Sequence, residues 1–193
     1  MKGIYIFVGP PGAGKGTQAS LFCKEVGIPH ISTGEILRAA MQSGSSLGRE
    51  VKDVVDRGVL VSDDLMIALI KERTAEPDCG NGFLLDGFPR TIPQAEALEK
   101  FFESAAMTLS KVVLFEISDD VLLSRLAGRR TDGSRDDDKE ETQLKRIRIY
   151  EESTSPLIGF YDSRGYLGRV DADADVETVK SRVMDLLSQP QKI

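Results

Sequence analysis

The stretch Ile4-Tyr5-Ile6-Phe7-Val8-Gly9-Pro10-Pro11-Gly12-Ala13-Gly14-Lys15-Gly16-Thr17 decides how the rest of the chain is read. Its first five residues are apolar without alternation, which predicts a strand covered on both faces. The run that follows fits Gly-x4-Gly-Lys between a strand and a helix, the phosphate-binding loop pattern in its confirming context. Glycine lets the backbone reach positive φ and approach a ligand closely, so successive N–H groups can turn inward around phosphate oxygens. The next helix adds N-terminal donors and its dipole, and Lys15 supplies a point charge for the β/γ-phosphates. The hydroxyl that usually follows the lysine is displaced by one place, with Gly16 standing there and Thr17 next. A glycine-rich turn with an incidental lysine is the bland alternative; the flanking strand and helix weigh against it.

Outward from this loop, four more short apolar segments, 28–32, 82–86, 111–117 and 167–170, are spaced among longer amphipathic stretches. Within 176–187, Val176, Val179, Val183, Leu186 and Leu187 fall on one face at helical spacing. Ser62 before Asp63-Asp64 and Ser118 before Asp119-Asp120 read as N-caps with acids in the first turn. His30 is placed at the end of the second strand, in a structural role. Strand alternating with helix predicts the α/β class, a parallel sheet with right-handed crossovers. Two stretches do not fit that alternation. Residues 33–61 are helical in pattern but punctuated by Gly44, Gly48 and Gly58, and 128–141 hold no apolar residue and read by themselves as a solvated surface loop.

Composition narrows the chemistry. At 193 residues the chain is read as one domain, large enough to bury a core without disulfide or metal staples. The longest apolar strings, such as 4–8, fall far short of the ~20 residues a membrane span needs. Met1-Lys2-Gly3 runs straight into a strand with no secretory h-region, so a cytoplasmic location is expected. The net charge of −6 argues against a general binder of nucleic-acid backbones. Cys23 and Cys79, far apart and without a CxxC, suit neither a disulfide framework nor a zinc site and read as ordinary buried thiols. A single histidine removes Ser-His-Asp and two-His metal mechanisms.

A second chemical signal ends the strand Phe83-Leu84-Leu85-Asp86. Ligands of parallel sheets sit beyond the carboxyl ends of the strands, so Asp86 is positioned to face Lys15 and hold Mg²⁺ or its waters. An aspartate at a strand end serves as often in a turn, but the sequel Gly87-Phe88-Pro89-Arg90 favours the functional reading.

These residues, together with Ser32-Thr33-Gly34-Glu35-Ile36-Leu37-Arg38, resemble the adenylate kinase family of nucleoside monophosphate kinases. The likeness covers nearly the whole chain. It continues through Asp86-Gly87-Phe88-Pro89-Arg90-Thr91-Ile92-Pro93-Gln94-Ala95, Arg125-x3-Arg129-Arg130, Arg135-x-Asp137-Asp138-x2-Glu141-Thr142 and Lys145-Arg146. It implies a P-loop NTPase-type three-layer sandwich with a five-stranded parallel sheet. The core would comprise 1–31, 62–127 and 139–193, with a helical monophosphate-binding insert at 32–61 and a short lid at 128–138. The implied reaction is reversible transfer of the terminal phosphoryl group of ATP to AMP, giving two ADP.

Carried over residue by residue, the resemblance implies ATP phosphates on Gly12, Ala13, Gly14, Lys15, Gly16 and Thr17, with the ATP adenine between Arg129 and the segment ending at Ala174. Family members often have Gly or Lys where Ala174 stands. The AMP phosphate is implied on Arg38 and Arg90, and its adenine against Thr33, Gln94 and the backbone of Val59, Leu60 and Val61. Gly87, Phe88, Pro89, Arg135 and Arg146 complete the AMP side, and Lys15, Arg90, Arg125, Arg135 and Arg146 carry catalysis. Mg²⁺ would come with ATP and meet Asp86 through water. The lid lacks the cysteines with which some members hold zinc, so no zinc is expected. The implied partners are ATP, AMP and ADP, with no nucleic acid and no membrane, for a chain expected to be a monomer.

Physical chemistry runs beside this. Arg125 and Arg129 are four apart and share a helix face; isolated, such arginines are ordinarily surface ion-pair partners worth about 0–1 kcal/mol. Phosphoryl transfer gives them a task, because charge spread over phosphate oxygens suits the bidentate, permanently charged guanidinium. The acceptor phosphate, with a second pKa of about 6, is already largely ionised and needs no general base. Rival readings are a pyrimidine monophosphate kinase, a nucleotide-switched GTPase and a non-catalytic sensor. The first has Ser-Ala-Gly where this chain has Ser32-Thr33-Gly34, and an Asn-rich run where this chain has Thr91-Ile92-Pro93-Gln94, whose Gln94 amide suits an adenine edge. No Asn-Lys-x-Asp guanine reader supports the second.

Overall fold

The computed structural model describes residues 3–56, 61–132 and 140–189. Five strands, β1 (Gly3–Val8), β2 (His30–Ser32), β3 (Gly82–Asp86), β4 (Leu109–Glu116) and β5 (Leu167–Asp171), form an all-parallel sheet in the order β2-β3-β1-β4-β5. Nine α-helices are seen among the described residues. They are α1 (Lys15–Val26), α2 (Thr33–Ser43), α3 (Ser46–Asp56), α4 (Asp63–Thr74), α5 (Ile92–Ser104), α6 (Asp119–Asp132), α7 (Glu140–Ile149), α8 (Pro156–Asp162) and α9 (Val176–Ser188).

The unbroken apolar run of β1 has a direct cause. Successive side chains of a strand point to opposite faces. Ile4, Ile6 and Val8 join Phe83, Leu85, Leu98 and Phe102 on one side, while Tyr5 and Phe7 join Leu84, Phe22, Val179 and Val183 on the other. The second cluster is dense in rings: Tyr5 meets Phe22 edge-on at 5.1 Å and Phe7 lies 5.0 Å from Phe115. Helices therefore cover both faces, α1 and α9 on one and α4, α5 and α8 on the other, which makes the three layers.

Local chemistry explains where the elements depart from the sequence reading. β2 is shorter than 28–32 because Pro29 has no N–H for the ladder; only its carbonyl takes part, accepting from Leu84 N–H at 3.0 Å. His30 thus opens the strand rather than ending it. β4 starts two residues early, at Leu109, across a bulge in which Ile4 pairs with Leu109 but Tyr5 with Lys111. Ser110, the extra residue, accepts from Ile4 N–H through Oγ at 3.2 Å.

Helix ends show both agreement and difference. Ser62 caps α4, its Oγ accepting from Leu65 N–H at 3.3 Å. Ser118 gives its N–H to the Asp173 carboxylate, at 3.0 and 3.2 Å. On α9, Val179, Val183 and Leu187 are buried as the spacing predicts, whereas Val176 at the first position is 49% exposed. The polar stretch read as a surface loop from 128 begins as helix, since α6 continues through Gly128 to Asp132. Cationic residue types near a helix C-terminus suit the dipole. Residues 133–139 lie outside the described ones.

Cys23 and Cys79 are both buried, free thiols. Burial, with the Asp86 charge adding, pushes Cys23 up to about 12. Burial likewise pushes Cys79 up to about 11 despite the opposing charge of Arg73. Since the thiolate is the reactive form, neither is expected to react with a disulfide reagent near about pH 8 until the protein is unfolded, when both become titratable. Thiol counting before and after denaturant addition checks this; rapid labelling of the native protein would contradict it. No helix among the described residues is long and apolar enough to cross a membrane.

Candidate active site

The loop between β1 and α1 is built tightly. Gly12 has φ +101°, and a Cβ there would stand 2.7 Å from Leu122 Cδ1 and 3.0 Å from Leu126, so α6 packs directly on the loop only because this residue is glycine. Ala13 is buried beside it. Gly14 is the N-cap of α1, and Gly16 and Thr17 sit in the first turn, so the helix N-terminus opens at the loop. Lys15 donates from Nζ to the carbonyls of Gly9 at 2.7 Å and Pro10 at 2.8 Å, which arches its ammonium over the loop.

Asp86 ends β3 opposite Phe7 of β1. A Cβ built on Gly16 would lie 3.4 Å from Asp86 Oδ2, so the carboxylate faces the start of α1, as the strand-end argument predicted. Its Oδ2 is also 3.3 Å from His30 Nε2, and His30 Nδ1 is 3.4 Å from Ser20 Oγ. Burial by itself would raise the Asp86 pKa; the His30 hydrogen bond and the charges of Lys15, His30 and Arg90 outweigh it and hold the carboxyl below its usual range. The sole histidine therefore touches the candidate metal carboxylate, a contact that sequence reasoning missed. Parallel pairing of β2 with β3 brings them together, and β2 carries no motif of its own to announce it.

Beyond β3 the chain builds a second wall. Gly87 has φ +82°, and a Cβ there would lie 2.9 Å from Thr33 Oγ1. Its carbonyl accepts from Thr33 Oγ1 at 3.3 Å and from Arg90 Nε at 2.7 Å. Arg90 N–H in turn donates to Gln94 Oε1 at 2.7 Å, and Gln94 Nε2 donates to Asp63 Oδ1 at 2.7 Å. Thr33, Gly87, Arg90 and Gln94, all singled out from the sequence, thus form one hydrogen-bonded run. Asp63, which was not, terminates it. Phe88 and Pro89 are buried beneath, and Val61 packs against the core.

The arginines divide. Arg90 is an exposed residue, yet the surrounding protein desolvates it, and Arg146 on α7 repels it, so its pKa is drawn below the usual arginine value. Two like charges held together in a cleft suit an anion. Arg125 behaves differently. Its Nη2 donates to the carbonyls of Ala172 at 2.8 Å and Ala174 at 2.7 Å, fastening α6 to the segment before α9. Of the two arginines on that helix face, the one seen against this segment is Arg125. The side chains of Arg38 and Arg129, and all of Val59, Leu60 and Arg135, lie outside the described residues.

A phosphate loop after the central strand, a carboxylate on the neighbouring strand and a cationic wall beside it define a P-loop nucleotide-binding protein of the kinase type. Comparison with known proteins agrees. The adenylate kinase family profile matches residues 7–166. An adenylate kinase of Shouchella clausii is 44% identical over 211 aligned residues, covering 95% of this chain and 97% of that protein. One of Parasynechococcus marenigrum is 45% identical over 188 residues, covering 97% and 100%, and one of Rhizobium etli is 41% identical over 212, covering 95% and 98%. The chain belongs to the adenylate kinase family.

Proposed function

We propose that this chain carries out the family's reaction, reversible transfer of the terminal phosphoryl group of ATP to AMP to give two ADP, in the crevice beyond β1 and β3. The observation that carries this reading is adjacency. β1 and β3 are paired neighbours, so the phosphate loop leaving one and the 87–94 segment leaving the other open onto a single crevice. Gly12 to Thr17 hold the ATP phosphates, and Lys15 swings its ammonium from the loop carbonyls to the β/γ oxygens. Arg125 keeps the 172–174 backbone in place for the donor base, with Ala174 and Arg129 beside it. Thr33, Gln94 and the backbone of 59–61 take the AMP base. Arg38 and Arg90 take its phosphate, helped by Arg135 and Arg146.

Adenylate kinases use Mg²⁺ with ATP. An ionised carboxylate facing the start of α1 fits that ion, and Asp86 would hold it through water. When bound, the ion neutralises phosphate charge. The acceptor is already ionised, so the protein's task is to position two anions and exclude water. We assign 32–61, largely α2 and α3, to the monophosphate-binding insert and 128–138 to the lid, in a monomeric, cytoplasmic enzyme. Lid closure of this kind in adenylate kinase is a standard example of catalytic gating.

Initial rates with ATP as donor and AMP, CMP, UMP or GMP as acceptor test the assignment. AMP is expected to be the fastest; CMP or UMP outrunning AMP would identify a pyrimidine monophosphate kinase instead.

A further inference from the structure

We propose that Asp63 is the specificity-determining positioning residue of the acceptor side: it fixes which way the Gln94 carboxamide faces, and so lets the cleft tell a 6-aminopurine from a 6-oxopurine. The inference rests on the reading that Gln94 meets the acceptor base.

The two ends of a carboxamide are nearly identical in shape, so its partners decide its orientation. Gln94 has one partner of each obligate kind. The Arg90 backbone N–H can only donate and sits 2.7 Å from Oε1; the Asp63 carboxylate, when ionised, can only accept and sits 2.7 Å from Nε2. Turning the amide over would set oxygen against carboxylate and NH₂ against N–H. Two hydrogen bonds would be lost and two repulsions created. The observed orientation leaves one lone pair on Oε1 and one hydrogen on Nε2. That pair complements the 6-amino group and adjacent ring nitrogen of adenine, and it mismatches hypoxanthine, where the carbonyl oxygen and N1–H need the reverse.

Asp63 is held for this task. It is the first residue of α4, directly after the Ser62 cap, where the helix dipole favours a negative charge. The ordinary reading of an acid there is helix stabilisation. Asp64, the next acid in the same turn, shares that property but makes no hydrogen bond to Gln94. The pair therefore separates a helix role from a specificity role.

The test measures kcat and KM for AMP and IMP, with ATP as donor, in the wild type and in Asp63→Asn, Asp64→Asn and Gln94→Ala. An asparagine at 63 can donate or accept, so it casts no vote on the amide. Asp63→Asn is expected to cut the AMP:IMP ratio of kcat/KM by about tenfold, the worth of one charge-assisted hydrogen bond. The change should come through a higher KM for AMP, with kcat within about twofold. Asp64→Asn is expected to leave the ratio alone. Should Asp63→Asn not fold, Asp63→Ser takes its place. A ratio unchanged in Asp63→Asn but collapsed in Gln94→Ala overturns the role of Asp63 alone. A ratio unchanged in Gln94→Ala, or a wild type indifferent to AMP and IMP, overturns the base-reading role of Gln94 and that of Asp63 with it.

Discussion

Lys15→Ala is expected to lower kcat by about a thousandfold or more while leaving a folded protein. The two halves of this expectation come from two tasks of the same ammonium. Nζ donates to the carbonyls of buried Gly9 and half-buried Pro10 from a side chain that is itself half-buried. Losing such bonds costs about 1 kcal/mol each, and water recovers part of it, so Tm should drop by only a few degrees. Turnover has no such substitute. In a loose transition state the transferring group carries its charge on equatorial oxygens, and a fixed ammonium in a partly dehydrated loop stabilises that charge far more than water does. Steady-state rates paired with thermal unfolding decide the matter. A variant within tenfold of wild-type kcat would show that the ammonium of Lys15 serves the loop and not the phosphates.

The legibility of this molecule follows from the range over which its interactions act. The phosphate loop could be read because its chemistry demands given residue types at fixed local spacing. β1 and β3 could be read because burial on both faces forbids polar residues within them. Asp86 was visible as the polar end of such a strand. What escaped depends on contacts between residues distant in the chain. Nothing beside Asp63 distinguishes it from Asp64: both are acids in the first turn of a capped helix, and only the arrival of Gln94, 31 positions later, separates them. His30 reads as a strand residue until parallel pairing sets it beside Asp86, 56 positions away. The bulge at Ser110 was hidden for a similar reason, since the extra residue is polar and its partner Ile4 N–H belongs to another strand. Arg125 shows a further limit. Its motif marked it as cationic, whereas its observed partners are carbonyls of the segment that the resemblance had set beside Arg129.

Arg90 carries the second large expectation, one in which stability and activity separate. Arg90→Ala is expected to lower kcat/KM for AMP by about a thousandfold, because the role proposed for Arg90 is a bidentate fork on the acceptor phosphate. Arg90→Lys should recover at most about tenfold of that, since a point charge does not replace a planar fork. Folding should not suffer in proportion. The side chain gives up one hydrogen bond, Nε to the Gly87 carbonyl at 2.7 Å, but it also stops being desolvated beside Arg146. These changes oppose each other, so Tm is expected to stay within about 3 °C of wild type. Base choice should survive as well. Gln94 is held by Asp63 and by the backbone N–H of Arg90, which any residue except proline supplies, so the AMP:IMP ratio is expected to persist even as turnover collapses. A ratio that fell along with the rate would mean that the guanidinium, through Gly87 and Thr33, positions the base as well as the phosphate. The wall would then act as one unit and could not be divided into a phosphate clamp and a base reader.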